Sequence, residues 1–362
     1  MRDVRSACMI AVMSPSIAGI ATQPPRVSVV IGAYLAAETI GRCLEALRAQ
    51  TYRDFEVVVV DSSPDEETAR IVSGFPEVRF ERSATRLYCH EARNRGVTLS
   101  RGELLVCLDA DVYARPDWLE TLVAAYDRTS QVIVGALACH GRDLRQRAIH
   151  LCKFSKFLPA GPVRALDIGP TANLLVARAD FEEVGGMRGE HYLADVELSR
   201  SLQTLGRTLT FVGTAVGEHH HTQSIRGFLS ERYVRGKVFG RMRSGWLRRR
   251  RDIALYLAVS VLPIRLIKIA GHVFVHCLRA GELGTLLLTW PLVMAGHAAS
   301  LAGEAVAYSG ALLARTFGQE AKEGRGVGVH DPLRQPVEHA QQRTDGSLHQ
   351  RLDQSHAGGD QR

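Results

Sequence analysis

The sequence predicts an α/β protein with a mixed, mostly parallel sheet flanked by helices, followed by C-terminal apolar helices that associate with a membrane. Three observations indicate this. Apolar strand-like runs alternate with segments of helical periodicity from Val27 onward, two of these runs end in aspartate, and a basic block precedes long apolar segments near the end. Such alternation is typical of a sheet covered by helices on both faces. The 362 residues, 46% of them hydrophobic and 23% charged, exclude a wholly disordered, collagen-like or multi-span membrane protein.

The first half of the chain contains four predicted strands with helices between them. The strands are short apolar runs at Val27–Ile31, Phe55–Val60, Val78–Phe80 and Leu104–Leu108. Apolar residues at helical spacing after Ile40 predict a helix between the first two strands. Pro116 predicts the first residue of another helix, because proline suits a position whose N–H needs no partner.

The second half of the chain has a looser pattern. Apolar runs at Thr171–Ala177 and Thr208–Val212 predict two more strands. The segment from Val196 to Leu205, closed by Gly206, predicts a helix between them. Four segments follow from composition and pattern: a disordered leader over 1–25, the α/β catalytic domain over 26–236, a basic block with one or two membrane-associated or transmembrane helices over 237–318, and a disordered tail over 319–362.

The positive charge of the chain is local. The formal net charge is +7, and the stretch from Lys237 to Arg251 holds seven cations and no acid. Cations beside an apolar segment favour an anionic membrane surface. Nucleic acid is not expected as a partner, because no aromatic stacking pattern accompanies the cations.

Two apolar segments follow the cations. The uncharged stretch from Leu283 to Gly303 is long enough to span the ~30 Å hydrocarbon core. Residues 253–278 are expected to lie in the interface or to form a re-entrant segment. The alternative is that both segments form a soluble helical subdomain.

The seven cysteines are scattered and include no Cys-x-x-Cys pair. This pattern indicates reduced, packed thiols in a reducing compartment. We therefore expect the α/β domain on the cytoplasmic side of the cell membrane.

Aspartates follow two of the predicted strands. Asp61 ends the second strand, and Asp109 and Asp111 form an Asp-x-Asp sequence at the end of the fourth. Ligands of open α/β sheets bind outside the carboxyl ends of strands. Paired carboxylates there suit Mg²⁺ or Mn²⁺, which share their remaining positions with phosphate oxygens. The alternative is a pair of solvated turns, in which aspartate is common.

An ordered set of motifs resembles the family 2 glycosyltransferases, which have the GT-A nucleotide-sugar-binding fold. The similar segments, in chain order, are residues 27–34, 58–65, 92–96, 102–103, 108–111, 116–119 and 181–186. The resemblance covers about residues 27–238. It implies a transferase that binds a UDP- or GDP-linked sugar.

The resemblance also assigns residues to the nucleotide pocket. It implies that Ala33, Tyr34, Glu38, Asp61 and Asn94 contribute to donor binding, together with the first aspartate of the Asp-x-Asp sequence. A carboxylate at position 61 is suited to accept the N–H donors of uracil or guanine. An aromatic ring at position 34 could stack on a base, although plain packing also explains it.

For the metal and the general base, the resemblance implies a second set of residues. Asp109 and Asp111 would bind the metal that bridges the donor diphosphate, and Asp195 would be the catalytic base. The family usually has Glu-Asp before this helix, and Ala194 here replaces the glutamate. An aspartate at the start of a helix can also be an N-cap.

A histidine tract follows the last predicted strand. In the sequence Glu-His-His-His, neighbouring side chains point in alternate directions, so His219 and His221 could share one ion. The resemblance implies that His219 completes the metal or diphosphate site. A chance surface cluster is the alternative.

The sequence thus predicts an inverting, metal-dependent glycosyltransferase that acts on a hydroxyl of an envelope-type acceptor, either lipid-linked or polysaccharide. Two alternatives stay open. A nucleotidyltransferase also uses Asp-x-Asp, but the loop after the first strand lacks the expected phosphate-binding glycines and cation. A degenerate GT-A-like membrane scaffold is supported only by Ala194.

Overall fold

The computed structural model describes residues 23–189, 192–247 and 249–316. The residues up to Ser309 belong to one compact unit, and a second unit begins at Gly310. Apart from residues 23–25, the predicted leader lies outside the described residues, as does the whole predicted tail.

The strands of the described chain form one mixed sheet. Their bounds are β1 Val27–Ala33, β2 Phe55–Asp61, β3 Arg79–Arg82, β4 Leu104–Asp109, β5 Val112–Ala114, β6 Val132–Cys139, β7 Arg164–Leu166, β8 Asn173–Ala177 and β9 Leu209–His219. The strand order is β3-β2-β1-β4-β8-β6-β9-β5, with β7 paired to β9 outside this path. Strands β1 to β4 are parallel, whereas β8 is antiparallel to both of its neighbours.

Helices cover the sheet and continue beyond it. Their bounds are α1 Ile40–Arg48, α2 Glu67–Val72, α3 Cys89–Leu99, α4 Trp118–Thr129, α5 Leu144–Phe154, α6 Arg178–Glu183, α7 Ala194–Thr204, α8 Ile225–Trp246, α9 Arg250–Val261, α10 Pro263–Arg279 and α11 Leu283–Thr316. The predicted α/β class with C-terminal apolar helices is confirmed. Pro116 lies two residues before α4, whose N-cap is Asp117, so the helix begins later than the sequence predicts.

The parallel register sets the position of the strand-end aspartates. Gly32 on β1 pairs with Asp109 on β4, and Ala33 pairs with Asp61 on β2. These two aspartates therefore flank the carboxyl end of the central strand. The alternating apolar residues of β1 are buried on both faces, which explains why its sequence is a continuous apolar run.

A buried asparagine joins the two halves of the sheet. Asn173 at the start of β8 accepts a hydrogen bond from the Trp118 indole at 2.9 Å and donates to the carbonyls of Ala136 and Ala215 at 2.9 and 3.1 Å. Its amide occupies the space beside Gly135, where a Cβ atom would lie 2.3 Å from the asparagine nitrogen. A side chain at position 135 would therefore displace the Asn173 amide, whose oxygen and both hydrogens have partners in the buried sheet.

The C-terminal helices pack on the α/β unit. α8 runs through residue 236, where the sequence placed a domain boundary. Small residues let α11 approach α8 closely: a Cβ atom on Gly236 would lie 2.0 Å from the Ser300 carbonyl oxygen, and one on Gly303 would lie 2.1 Å from that of Tyr233. Within the described chain, α11 is the single helix long and apolar enough to cross a membrane. α9 and α10, which meet at a bend of 62°, satisfy the same criterion only when taken together, as a broken span or a re-entrant loop. The six described cysteines are free thiols, as predicted.

Candidate active site

Three metal-ligating side chains meet at the carboxyl end of the sheet. Asp109 ends β4, Asp111 follows in the turn to β5, and His219 is the last residue of β9. β5 pairs with β9 so that Val112 lies opposite His219, which brings the imidazole beside the Asp-x-Asp sequence. The peptide N–H of His220 donates to the Asp111 carbonyl at 2.8 Å and fixes this arrangement.

The donor atoms of this cluster suit a hard divalent cation. One ligand atom from each of the three residues lies within 4.8 Å of the others. His219 Nε2 is 3.9 Å from Asp109 Oδ2, and His219 Nδ1 is 3.7 Å from Asp111 Oδ2. His219 Nδ1 is buried with no hydrogen-bond partner, which is costly unless a ligand satisfies it. Burial raises the pKa of Asp111, and the neighbouring His219 opposes this shift. The residues present therefore fit Mg²⁺ or Mn²⁺.

Arg93 on α3 is part of this cluster, and our sequence reasoning passed over it. The side chain is 3% exposed, forms an ion pair with Asp109 Oδ1 and donates to Thr171 Oγ1 at 2.9 Å. It holds one oxygen of Asp109, so the other faces His219. Helical periodicity could have found it, because buried α3 residues at positions 90, 93 and 97 share one face.

A first cavity of about 430 Å³ lies on one side of the carboxylates. Its lining includes Ala33, Tyr34 and Glu38, as the sequence predicts, together with Arg86 and both aspartates of the Asp-x-Asp sequence. The Arg86 guanidinium lies 4.4 Å from the centre of the Tyr34 ring. Tyr34 is 38% exposed, so its ring is available to a ligand in the cavity and is not a core residue.

Asp61 is fully buried and is not among the residues that line this cavity. Its Oδ1 accepts hydrogen bonds from the Ser63 amide at 3.1 Å and the Ser63 hydroxyl at 2.6 Å. Its Oδ2 has no partner among the described residues. The Ser63 hydroxyl also accepts the Leu35 amide at 2.7 Å, which ties Asp61 to the loop after β1. Leu35 has φ of 51°, a left-handed conformation that is rare outside glycine.

A second cavity of about 500 Å³ lies on the other side and shares Asp109 and Asp111 with the first. Asp195 lines it. Asp195 is the second residue of α7, whose N-cap is Leu193, and it is therefore not the N-cap. Its Oδ1 accepts the Val196 amide at 2.9 Å, and its Oδ2 lies 4.0 Å from Arg235 Nη2. Burial raises the pKa of Asp195, and Arg235 opposes the shift.

α8 supplies a charged wall to the second cavity that the sequence pattern did not reveal. Glu231, Arg232 and Arg235 all line it. Glu231 Oε2 accepts from Lys153 at 3.0 Å and from Gln223 at 3.1 Å. Lys153 comes from α5, and four helices, α3, α5, α7 and α8, contribute to the lining of the cavity. The one sequence signal for this wall is the excess of arginine after residue 225.

The histidine tract alternates as predicted. The rings of His219 and His221 stack with centroids 4.3 Å apart, and both line the second cavity. The His220 ring instead lies 5.5 Å from that of His140. Burial lowers the pKa of His150 to about 3, and its Nε2 donates to the Leu137 carbonyl at 3.0 Å. Its Nδ1 therefore accepts from His221 Nε2 at 3.1 Å, which orients the His221 ring.

Asn94 is a second residue of the predicted donor site that, like Asp61, lines neither cavity of the described chain. Its side-chain amide donates to the Met187 carbonyl at 2.7 Å, and its oxygen accepts the Met187 amide at 2.9 Å. Its observed contacts join α3 to the segment after α6.

Comparison with known proteins agrees with this geometry. The model of the family described as "Glycosyl transferase family 2" matches residues 28–185, which include all three strand-end aspartates. The chain belongs to glycosyltransferase family 2. The resemblance drawn from the motifs is thereby confirmed.

Individual members of glycosyltransferase family 2 are similar over different lengths. Glycosyltransferase AglE of Haloferax volcanii is 29% identical over 259 residues, which cover 66% of this chain and 82% of that protein. The glucosyl-dolichyl phosphate glucuronosyltransferase of the same organism is 31% identical over 118 residues, or 30% of this chain and 36% of that protein. A solved structure of the mannosyltransferase PcManGT from Pyrobaculum calidifontis, in complex with GDP-Man and Mn²⁺, aligns with a TM-score of 0.46 and 22% identity over 82% of this chain and 84% of that one.

Proposed function

We propose that this family 2 glycosyltransferase is inverting and metal-dependent, and that it moves a sugar from a UDP- or GDP-linked donor to a hydroxyl of an envelope-type acceptor. The observation that carries the proposal is that two cavities meet at Asp109 and Asp111, with Asp195 in the second cavity. A donor in the first cavity would present its anomeric carbon to the second cavity, where the acceptor binds.

The nucleobase would bind at the Asp61 end of the first cavity. The unpartnered Asp61 Oδ2 is an acceptor for a base N–H, a charge-assisted hydrogen bond that a uracil or a guanine can donate. Tyr34 offers the exposed ring on which the base would stack, and the Arg86 guanidinium, which lines the same cavity, lies 4.4 Å from the centre of that ring. Ser63 holds the second oxygen of Asp61 and so orients the carboxylate.

Asp109, Asp111 and His219 would hold the metal. When bound, Mg²⁺ or Mn²⁺ neutralises the charge that develops on the leaving nucleoside diphosphate. Arg93 acts on the protein side of this site, because its ion pair fixes one Asp109 oxygen and directs the other toward His219.

Asp195 would serve as general base. Its Oδ2 would take the proton of the acceptor hydroxyl while that oxygen forms a bond to the anomeric carbon and the bond from that carbon to the diphosphate oxygen breaks. Attack opposite the leaving group inverts the anomeric centre. The raised pKa of Asp195 strengthens it as a base, and Arg235 favours the deprotonated form that must be present at the start.

We place the enzyme at the cell membrane with its α/β unit on the cytoplasmic side. The arginines before α9 and the apolar C-terminal helices support this placement. The name of the relative that acts on a glucosyl-dolichyl phosphate supports a lipid-linked acceptor, with a polysaccharide as the other member of the envelope class.

A donor screen tests the proposal. The full chain is incubated with UDP- and GDP-sugars and Mn²⁺, and release of nucleoside diphosphate is measured with and without membrane extract. Asp111→Ala, which removes a metal ligand, is the control for contaminating hydrolases. Release of pyrophosphate would indicate a nucleotidyltransferase, and no release from any donor would indicate a scaffold; either result contradicts the proposal.

A further inference from the structure

α10 carries an apolar stripe that faces outward. Its residues recur at intervals of three or four, which places them on one side of the helix. We call the following residues the α10 stripe: Ile264, Ile267, Gly271, Phe274, Val275 and Leu278. Ile264 and Ile267 are 62% and 66% exposed, whereas Val273 and Cys277 on the opposite side are buried. The outward face of this helix therefore carries large apolar side chains, next to the exposed Lys268 and His272.

The exposed apolar surface extends from the α10 stripe to the end of α9. Val261 and Leu262, the residues before α10, are 68% and 47% exposed, and Pro263 is exposed as well. Four consecutive apolar residues thus project at the 62° bend between the two helices. Contiguous apolar surface of this extent marks an interaction site in a folded protein.

The charges around the stripe indicate the kind of partner. Lys268 is the one formally charged residue among the exposed positions from Ile264 to Leu278. Arg249, Arg250 and Arg251 are exposed at the start of α9. Lys268 lies beside the stripe, and the arginines lie at the far end of α9, where Arg251 pairs with Asp252. A stripe that carries no acid and has a cation beside it complements a bilayer whose headgroups are anionic.

α11 packs on neighbouring helices along one side and, like α10, exposes apolar residues on the other, where Leu287 and Leu288 are 64% and 72% exposed. Leu286 and Val293 of α11 are buried in one cluster with Ile149 of α5 and Phe228 of α8. Further along, Glu304 is buried and accepts hydrogen bonds from Arg243 at 2.8 Å and from Arg265. One side of α11 up to Glu304 therefore packs on α5, α8 and α10, of which α5 and α8 also line the second cavity.

We propose that the α10 stripe, with Val261 and Leu262, lies in the plane of a bilayer that contains anionic lipids, at the boundary between headgroups and acyl chains. This inference extends the proposed membrane location and does not depend on the proposed reaction. The stripe from Ile264 to Leu278 is about 21 Å long at 1.5 Å per residue, too short by itself to cross the hydrocarbon core but sufficient to anchor in its surface.

Vesicle binding tests the inference with the full chain. Co-sedimentation is measured with vesicles of phosphatidylcholine alone and with an equal mixture of phosphatidylcholine and phosphatidylglycerol. The wild-type chain is expected to bind the mixture more strongly, and Ile264→Glu/Ile267→Glu is expected to lose at least ~10-fold in partitioning. Leu144→Glu is the matched control, because Leu144 is 50% exposed on α5 and lies outside the stripe.

A second measurement reports on depth without adding charge. In Ile267→Trp, the fluorescence emission of the added indole is expected to shift to the blue when mixed vesicles are added. The vesicle-induced change in wild-type emission, which comes from the native tryptophans, is subtracted.

Four results would overturn the inference. Wild-type binding by the double glutamate variant would show that another segment attaches the chain. Equal binding to neutral vesicles would remove the anionic requirement. Absence of the emission shift would place position 267 in water. Dimerisation without vesicles that the glutamates abolish would assign the stripe to a second copy of the chain. Donor hydrolysis in detergent, measured in parallel, reports on the proposed reaction separately.

Discussion

Asp195→Asn separates the chemistry of the proposed base from its structural contacts. Asn keeps a side-chain oxygen that can accept the Val196 amide, which Asp195 Oδ1 accepts at 2.9 Å. It removes the negative charge 4.0 Å from Arg235. Because Asp195 is not the N-cap of α7, no capping interaction changes. The substitution therefore tests basicity with little disturbance of the helix.

The expected loss of activity is large and specific. Loss of a positioned general base lowers kcat by about 10²- to 10⁴-fold, or roughly 3–5 kcal/mol of barrier. Donor affinity should be unchanged, because Asp195 lies in the second cavity and the donor is expected to occupy the first.

The effect on stability has a definite sign. Burial raises the pKa of Asp195 in the folded chain above its usual value of 3.8. The native state then binds more protons than the unfolded state, so this group disfavours folding once the pH rises above that value. Asn carries no such cost, and the variant should be at least as stable as the wild type at neutral pH.

Steady-state kinetics, donor binding by calorimetry and melting temperature form the assay. In the wild type, kcat should fall as the pH is lowered through a pKa above that of an ordinary aspartate, because the base must be deprotonated. The positive charges of Arg235 and Arg93 limit how far burial raises the pKa of Asp195. Glu197→Gln is the matched control: it removes an acid from the same helix, at a residue outside both cavities. Near wild-type kcat in Asp195→Asn, or an equal loss in Glu197→Gln, would refute the role.

Three further predictions concern the metal, the nucleobase and the helix contact. Asp111→Ala should abolish Mn²⁺-dependent donor turnover while the melting temperature without metal stays close to wild type; full activity of this variant, or of the wild type in chelator, would refute the metal role. Asp61→Asn should weaken nucleoside diphosphate binding about 10- to 100-fold, the loss of one charged hydrogen bond, as measured by calorimetry. Gly236→Ala should lower the melting temperature, because its Cβ would lie 2.0 Å from the Ser300 carbonyl, whereas Gly245→Ala, with open space around it, should raise it by removing a helical glycine.

The parallel half of the sheet could be predicted from sequence because its signal is local. Each of strands β1, β2 and β4 is an apolar run buried on both faces, and two of them end in aspartate. Short strands carry no such signal: β5 has three residues and β7 also has three. The antiparallel direction of β8 could not be predicted either, since a five-residue apolar run has the same pattern in a parallel or an antiparallel pair.

The same distinction between local signals and contacts across elements applies to the residues of the candidate site. Asp109, Asp111 and His219 follow strand ends, and the predicted cluster of the three is present in the structure. Arg93 lies within the motif at 92–96, but the motif does not single it out, because its role depends on the distance from α3 to β4. Asn94 shows the converse: its motif pointed to the donor, whereas its amide bonds the Met187 backbone. Pairings across elements cannot be read from the spacing within one element.

The C-terminal helices cannot be treated as an appendage of the catalytic unit. α8 lines the second cavity with Arg232 and Arg235, and the same helix continues through residue 236 to Trp246. Its position depends on α11, since glycines on both helices permit backbone contact that any side chain would prevent. A chain ending near Val234 would lose Arg235, the neighbour of Asp195, and would expose Phe228, which is now fully buried. The C-terminal helices therefore also shape the wall against which the acceptor is expected to bind, so removing them would alter acceptor binding as well as the proposed membrane attachment.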